Sequence, residues 1–300
     1  MEQILNTIYG INDILNAYIW LGIPIVIKGI VLAFIFAMIF RKQIKKYPIV
    51  FYIWPILLLI WFVFNRLART LAGEASREWP IYSSWIADLA GMPYRLGLVA
   101  SIGIGLITIV MFIGVLPKTP TVIKLFNIRA EMSIIGATLL VAHGIMRLDT
   151  ALRYFEADQI PAFNLSFLGF GIIGPIILIL ILLPWITSFR FVRKRMKPKT
   201  WKTLQTYTSV PMFIGMLMFG CVVTMVWSVG TYPDLLNLGD IVTSTGRDNT
   251  EVAVSLATGI SFASNVLAYK IYFVLLVAYI SLRYKKVKDR KKKISQKLAE

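Results

Sequence analysis

Residues 18–40 read YIWLGIPIVIKGIVLAFIFAMIF, a run of 23 residues that holds one charged side chain, Lys28. As an α-helix rising about 1.5 Å per residue, this run is long enough to cross about 30 Å of hydrocarbon. It is too long for the apolar part of a secretory signal, and no small-residue cleavage pattern follows it. The stretch therefore predicts a retained transmembrane helix.

Six further apolar runs follow along the chain. Hydrophobic residues make up 57% of the 300 residues and charged residues only 16%, against about 25% charged in soluble proteins. Nothing between the runs is long or varied enough to bury a separate aqueous core. The sequence predicts an all-α, polytopic membrane helix bundle of about seven transmembrane helices, which occupies residues 18–282 as one domain. The further runs are 48–66, 94–116, 131–148, 166–188, 206–229 and 252–282.

The distribution of charge predicts the orientation of these helices. The formal net charge is +17, and 23 of the 32 Lys and Arg residues lie in 41–47, 117–130, 189–203 and 283–300. The opposite loops and the N-terminus hold 12 of the 15 acidic residues. Because basic loops stay in the cytoplasm, we expect a multi-pass protein of the cell inner (cytoplasmic) membrane with its N-terminus outside and its C-terminus cytoplasmic.

Both ends of the chain differ from the apolar runs between them. Residues 1–17 carry apolar side chains at three- and four-residue spacing, which suits either an outer interfacial helix or a frayed terminus. Residues 283–300 form a basic cytoplasmic tail, which we expect to be solvated and to touch anionic membrane lipid. Its position at the end of a membrane domain argues against a nucleic-acid partner. The spaced apolar residues of the first segment are Ile4, Ile8, Ile11 and Leu15.

Few residues in the sequence could carry chemistry. Cys221 is the only cysteine, which excludes a disulfide framework and a cysteine-ligated iron–sulfur cluster within the chain. Ionisable groups are costly inside apolar spans, so Lys28, Lys270 and the only histidine, His143, are functional candidates. We expect both lysines inside the bundle, where they hydrogen-bond or line a polar cavity. His143 lies about 21 Å along a helix from Arg129, and such a histidine either bonds between helices or serves as a cofactor ligand or proton relay.

Three motifs carry a resemblance to a known family. The stretch from about residue 94 to 230 resembles the ferric-reductase-like transmembrane domain family, in particular the haem-binding membrane subunit of the bacterial methionine sulfoxide reductase system. The most specific part is the ITS sequence, the basic loop and the W-K-x-L run of the third motif. The motifs are YRLGLVASIGIGLITI with LPKTP (94–109 and 116–120), IRAEMSIIGATLLVAHGIMRL (128–148) and LLPWITSFRFVRKRMKPKTWKTLQTYTSV (182–210).

The resemblance implies a haem b site in which the ligands are altered. His143 matches the first haem-ligating histidine of the family, whereas Gln205 and Met218 occupy the positions of the other two, about 13 residues apart. Gln is a poor haem ligand, so no haem is expected near the cytoplasmic surface, but Met is a genuine axial ligand. Met218 and His143 have similar depths, about 24 Å and 21 Å from the inner edge. We therefore predict one haem held by His143 and Met218, with two alternatives: Met218 is an apolar gap-filler, or haem is lost.

The function that the resemblance implies is membrane electron transfer. Electrons would pass from a quinol in the membrane to an extracytoplasmic redox partner, a flavoprotein or molybdoenzyme, with haem b and a quinone or flavin as cofactors. Arg147, one turn beyond His143, could meet an anionic group of a cofactor or pair with Asp149. The alternative is a haem-free membrane anchor or assembly subunit for such a partner. A small-solute transporter is disfavoured because the sequence shows no two similar halves.

Overall fold

A computed structural model describes residues 24–72, 98–146, 171–242 and 249–299. Within these ranges all regular secondary structure is helical, which confirms the predicted all-α class. The predicted interfacial segment 1–17 lies outside the described residues. The helices are α1 (Ile25–Lys46), α2 (Pro48–Ala72), α3 (Leu98–Ile113), α4 (Pro120–Phe126), α5 (Arg129–Met146), α6 (Gly174–Ser188), α7 (Arg190–Arg193), α8 (Pro198–Val242) and α9 (Asn249–Ala299).

Several of these helices are long and apolar enough to cross a membrane. Three meet that criterion among the described residues, and a fourth span is added if α4 and α5, which meet at a bend of 64°, form one broken span. Each predicted apolar run coincides with a helix over its described part, but the count of seven spans stays a prediction. The three candidate spans are Gly171–Ser188, Pro198–Met225 and Asn265–Gln296, and shorter apolar helices are Pro48–Trp61 and Ser101–Ile113.

Helices α1 and α2 form a hairpin at a basic turn. The last turn of α1 contains Lys45 and Lys46, whose charges suit the negative end of a helix dipole. Tyr47 alone separates the two helices, and Pro48 begins α2, where its missing N–H costs no helical hydrogen bond. The ring of Phe51 in α2 packs against Phe36 of α1 with centroids 6.1 Å apart. The two helices therefore contact each other near the turn that joins them, and α2 packs mainly against α5.

Glycines let α1 and α3 approach each other at backbone distance. A Cβ added at Gly29 would overlap the carbonyl group of Ser101, and a Cβ added at Gly105 would overlap the carbonyl group of Gly29. Small residues at such crossings allow the van der Waals contact that holds membrane helices together when lipid is as apolar as the core. The α1–α3 crossing thus depends on the absence of side chains at these two positions.

The LPKTP motif turns the chain from α3 into α4. The Thr119 hydroxyl caps α4 by accepting a hydrogen bond from the Val122 N–H at 3.3 Å, and Pro120 occupies the first turn. Helix α5 then begins at Arg129 and packs against α3, where a Cβ at Gly136 would lie 2.9 Å from Cβ of Leu106. Helix α5 therefore returns antiparallel to α3.

The two longest helices, α8 and α9, pair along their length in the second half of the chain. Tyr272 of α9 lies against Gly220 of α8, and Tyr279 stacks edge-on against Phe213 with ring centroids 4.7 Å apart. Phe112 of α3 completes the group, 6.2 Å from Phe213. Helix α8 continues to Val242, so part of the predicted outer loop 230–251 is helical.

Helix α9 also continues through nearly all of the predicted basic tail. It ends at Ala299, so the residues from 283 onward extend the helix and do not form an irregular segment. The side chains from Tyr284 to Lys292 are exposed, as expected for a solvated tail. At its beginning the exposed Lys286 also donates a hydrogen bond to the carbonyl of Gly114.

The buried core consists of two clusters that share α3 and α5. One cluster lies among α1, α3, α4 and α5, and the other joins α3 and α5 to α6, α8 and α9. Ile44 at the end of α1 is buried in the same cluster as Leu125 and Ile128. The turns that follow α1 and α3 therefore lie at the same end of the bundle. Arg129 and the contact between Lys286 and Gly114 lie there too, and this end is called the basic end below.

Candidate functional site

The side chain of Gln205 ties α8 to the end of α6. Its Nε2 atom donates to Oγ1 of Thr187 at 2.9 Å, to the carbonyl oxygen of Pro184 at 3.2 Å and to Oγ of Ser188 at 3.5 Å. Its Oε1 atom accepts a hydrogen bond from the hydroxyl of Ser209 at 3.3 Å. Both ends of the amide are therefore engaged inside the bundle.

This arrangement follows from the chemistry of a helix terminus. The last carbonyls of a helix have no intrahelical donor, and α6 ends at Ser188. Side chains of α8 provide donors, because Trp201 Nε1 also donates to the carbonyl of Thr187 at 3.0 Å. Arg193 in turn lies over the Trp201 ring, 4.4 Å from its centroid. The ITS sequence, the basic loop and the W-K-x-L-Q run thus form one hydrogen-bonded unit.

The same polar network reaches α5. Trp185 Nε1 donates to Oγ1 of Thr138 at 2.8 Å, and the Thr138 hydroxyl donates to the carbonyl of Ile134 at 2.7 Å. Helix α6 therefore stands between α5 and α8 and is hydrogen-bonded to both. Because the second and third motifs that carry the family resemblance meet in this region, it is the first candidate site.

His143 lies near the end of α5, on the far side from Arg129. Its side chain is partly buried, its Nδ1 atom lies below the surface, and the adjacent Gly144 packs against Leu178 of α6. The described part of the chain ends three residues later, so Arg147 and the rest of the expected anionic-cofactor site fall outside it. The structure places the histidine beside α6, with one side still accessible.

Met218 lies in a different environment from His143. Its side chain is 47% exposed, whereas Met216 is 6% exposed and Leu217 is fully buried. The buried face of α8 therefore presents Met216 and Leu217 to the core, and Met218 points away from it. The ligation of a haem by His143 and Met218 stays a prediction.

The two intramembrane lysines differ from each other. Lys28 is partly buried in α1, one residue before the close contact at Gly29. Lys270 is exposed on α9, so the expectation that it lies inside the bundle is wrong. The reason is helical phase, because the α9 face that meets α8 carries Tyr272 and Tyr279.

A second candidate site lies at the basic end. The guanidinium of Arg129 approaches Gly114, with Nη2 3.2 Å from the position of an added Cβ, and Lys286 donates to the Gly114 carbonyl. Arg283 lies near the hydroxyl group of Tyr279, whose side chain is buried. Sequence reasoning treated Arg129 as a topology signal and the cations of α9 as part of a solvated tail that touches anionic lipid. The helical spacing of Tyr279, Arg283, Lys286 and Arg290, which puts them on one face of α9, is the pattern that indicates the site.

Comparison with known proteins identifies no relative. No protein-family model matches this chain, and neither does a curated protein or a solved structure. The ferric-reductase-like resemblance therefore rests on the three sequence motifs and on nothing beyond them.

Proposed function

We propose that this chain is a haem-free membrane anchor or assembly subunit for an extracytoplasmic redox partner, a flavoprotein or another oxidoreductase. In this proposal the bundle crosses the inner membrane seven times with its C-terminus in the cytoplasm. The observation that carries it is the position of Gln205. Where the family resemblance places a haem-ligating histidine, this side chain instead joins α6 to α8.

The ligand inventory supports the same proposal. A low-spin haem needs two axial ligands, and His143 is the only histidine in the chain. Gln205 is occupied by the end of α6, and Met218 is exposed on α8. What the network does provide is a hydrogen-bonded connection of α5, α6 and α8, which stabilises the helix bundle that would hold the partner at its outer face.

The second candidate is electron transfer from a membrane quinol through one haem b. It is favoured by the partial exposure of His143 near the end of α5. Bound there, haem would supply one-electron transfer, with Met218 as the proposed second ligand and Arg147 near a propionate. The residues of this chain would then position the group close to the outer face, where the partner docks.

An absorption spectrum of the purified protein separates the two candidates. The full-length chain is expressed with ample haem supply, together with a His143→Ala variant as the matched control. For the anchor we expect no Soret band, normal accumulation of the variant, and chemical cross-linking to a redox protein on the outer face of intact cells. A Soret band that His143→Ala removes would establish the electron-transfer function instead. Absence of both the band and the cross-linked redox protein would contradict both candidates.

A further inference from the structure

Five cations converge at the basic end from three separate parts of the chain. Arg129 begins α5, Lys118 follows the end of α3, and the other three come from one face of α9. The charges of the other four all act on the Lys286 ammonium group. The three cations of α9 are Arg283, Lys286 and Arg290.

Cations outnumber acidic side chains among the described residues of the basic end. The charged groups that act on Lys286 there are cations, and Asp289, next to Arg290 on α9, is the acidic residue closest to them in sequence. Glu131 lies in the first turn of α5 but acts on Tyr52 of α2, on another side of the helix. Gathering like charges around a partly buried arginine is unfavourable unless an anion joins them.

We propose that the basic end is a binding site for a phosphate group. Guanidinium groups pair with phosphate oxygens through two parallel N–H hydrogen bonds, and ammonium groups add point charges. Arg129, Arg283 and Lys286 are therefore the residues that would contact the phosphate directly. The positive N-terminal end of α5 lies at Arg129 and adds to the attraction. Gly114 leaves room at the centre, because a larger residue there would meet the guanidinium.

An anionic phospholipid headgroup is the source that the surroundings favour. Arg129 lies 5.9 Å from the centroid of the Phe126 ring, and both Phe126 and Ile123 of the short helix α4 are exposed apolar residues. A phosphate held by the cations would thus have an apolar surface beside it, where acyl chains could lie. A free inorganic phosphate would use the cations alone, so the two sources differ in whether α4 contributes.

Lipid-dependent thermal stability tests the proposal on the full-length chain in detergent. Phosphatidylglycerol is titrated against phosphatidylcholine, and inorganic phosphate is titrated against chloride at equal ionic strength. We expect phosphatidylglycerol to raise the melting temperature, and the concentration for half of that rise to increase about tenfold in Arg129→Gln/Lys286→Gln. The matched control, Lys291→Gln/Lys292→Gln, removes the same charge from exposed positions of α9 and should respond like the unchanged protein.

A second pair of variants guards against a folding defect. Lys118 and Arg290 are exposed, so Lys118→Gln/Arg290→Gln removes two cations of the site without disturbing buried contacts, and it should also weaken the response. If inorganic phosphate alone gives the same cluster-dependent rise, the phosphate site stands and its source is soluble. The proposal is overturned if Arg129→Gln/Lys286→Gln and Lys118→Gln/Arg290→Gln both respond to phosphatidylglycerol as Lys291→Gln/Lys292→Gln does.

Discussion

Nε2 of Gln205 lies 2.9 Å from Oγ1 of Thr187, and this hydrogen bond joins two helices at the place where the sequence resembles a haem-binding family. Thr187 is buried and in turn donates to the carbonyl of Leu183 at 2.7 Å. A histidine at position 205 could not reproduce both the donor and the acceptor of the amide with the same reach. Gln205 therefore joins two helices at the position where the resemblance would place a haem-ligating histidine.

The first prediction concerns the stability of that connection. Gln205→Ala leaves carbonyl and hydroxyl groups at the end of α6 without their donor, so we expect a loss of about 1–3 kcal/mol in the free energy of unfolding. Thr203→Ala, at an exposed position of the same helix, is the control and should change little. Unfolding in detergent micelles followed by circular dichroism measures both. Equal stability of the two variants would show that the connection contributes nothing.

A second prediction tests the close approach of α1 and α3. Gly105→Ala would push a methyl group into the carbonyl of Gly29 and to 2.9 Å from the Ala33 Cβ, which we expect to destabilise the bundle by about 1–3 kcal/mol. Gly215→Ala is the matched control, because its Cβ would lie 3.5 Å from Ile177, an ordinary contact. Melting temperatures of both variants in the same detergent test this prediction. If Gly105→Ala lowers the melting temperature no more than Gly215→Ala does, the close contact of α1 and α3 is refuted.

The third prediction separates the two methionines of α8. Met216 is buried, so Met216→Ala should cost about 2–5 kcal/mol through the cavity it leaves, whereas Met216→Leu should cost less than about 1.5 kcal/mol. Met218→Ala should lie within about 0.5 kcal/mol of the unchanged protein, because its side chain is exposed. The reverse order of stabilities would place Met218 in the core and would revive its pairing with His143.

The fourth prediction is a stoichiometry. Because Gln205 is engaged at the end of α6 and no histidine other than His143 exists, this chain should bind at most one haem. A pyridine haemochrome assay on protein quantified by amino-acid analysis measures the ratio. If one haem is present, His143→Ala should remove it, and Met218→His should keep it and lower its reduction potential if Met218 is the second ligand. Two haems per chain would contradict the prediction.

The fifth prediction is the orientation of the bundle. A cysteine at Lys199, which is exposed in the first turn of α8, should react with an impermeant thiol reagent only after the cells are opened. A cysteine at Asp240 should react in intact cells, and a Cys221→Ser background removes the native thiol. Labelling of the Lys199 position in intact cells would reverse the proposed topology.

The sequence by itself determined the helical class and the approximate positions of the main helices, but not how far α8 and α9 continue beyond their apolar runs. Runs such as residues 131–148 and 206–229 are apolar over a membrane-spanning length, and the backbone hydrogen bonds of such a run can be satisfied only within a helix. The LPKTP motif marked a real turn, because Thr119 caps the helix that Pro120 begins. These features depend only on residues that are close in the chain, so they can be recognised in the sequence.

Only the tertiary structure decided which side of each helix meets another helix. Met216 and Met218 are chemically the same, and lipid is as apolar as the core, so hydrophobicity could not indicate that the first is buried and the second exposed. The number of residues from the inner edge predicted similar membrane depths for His143 and Met218, but depth does not specify which face of its helix a residue occupies. The contacts of Gln205 with Thr187 and of Lys286 with Gly114 likewise join residues far apart in the chain, and packing alone brings them together.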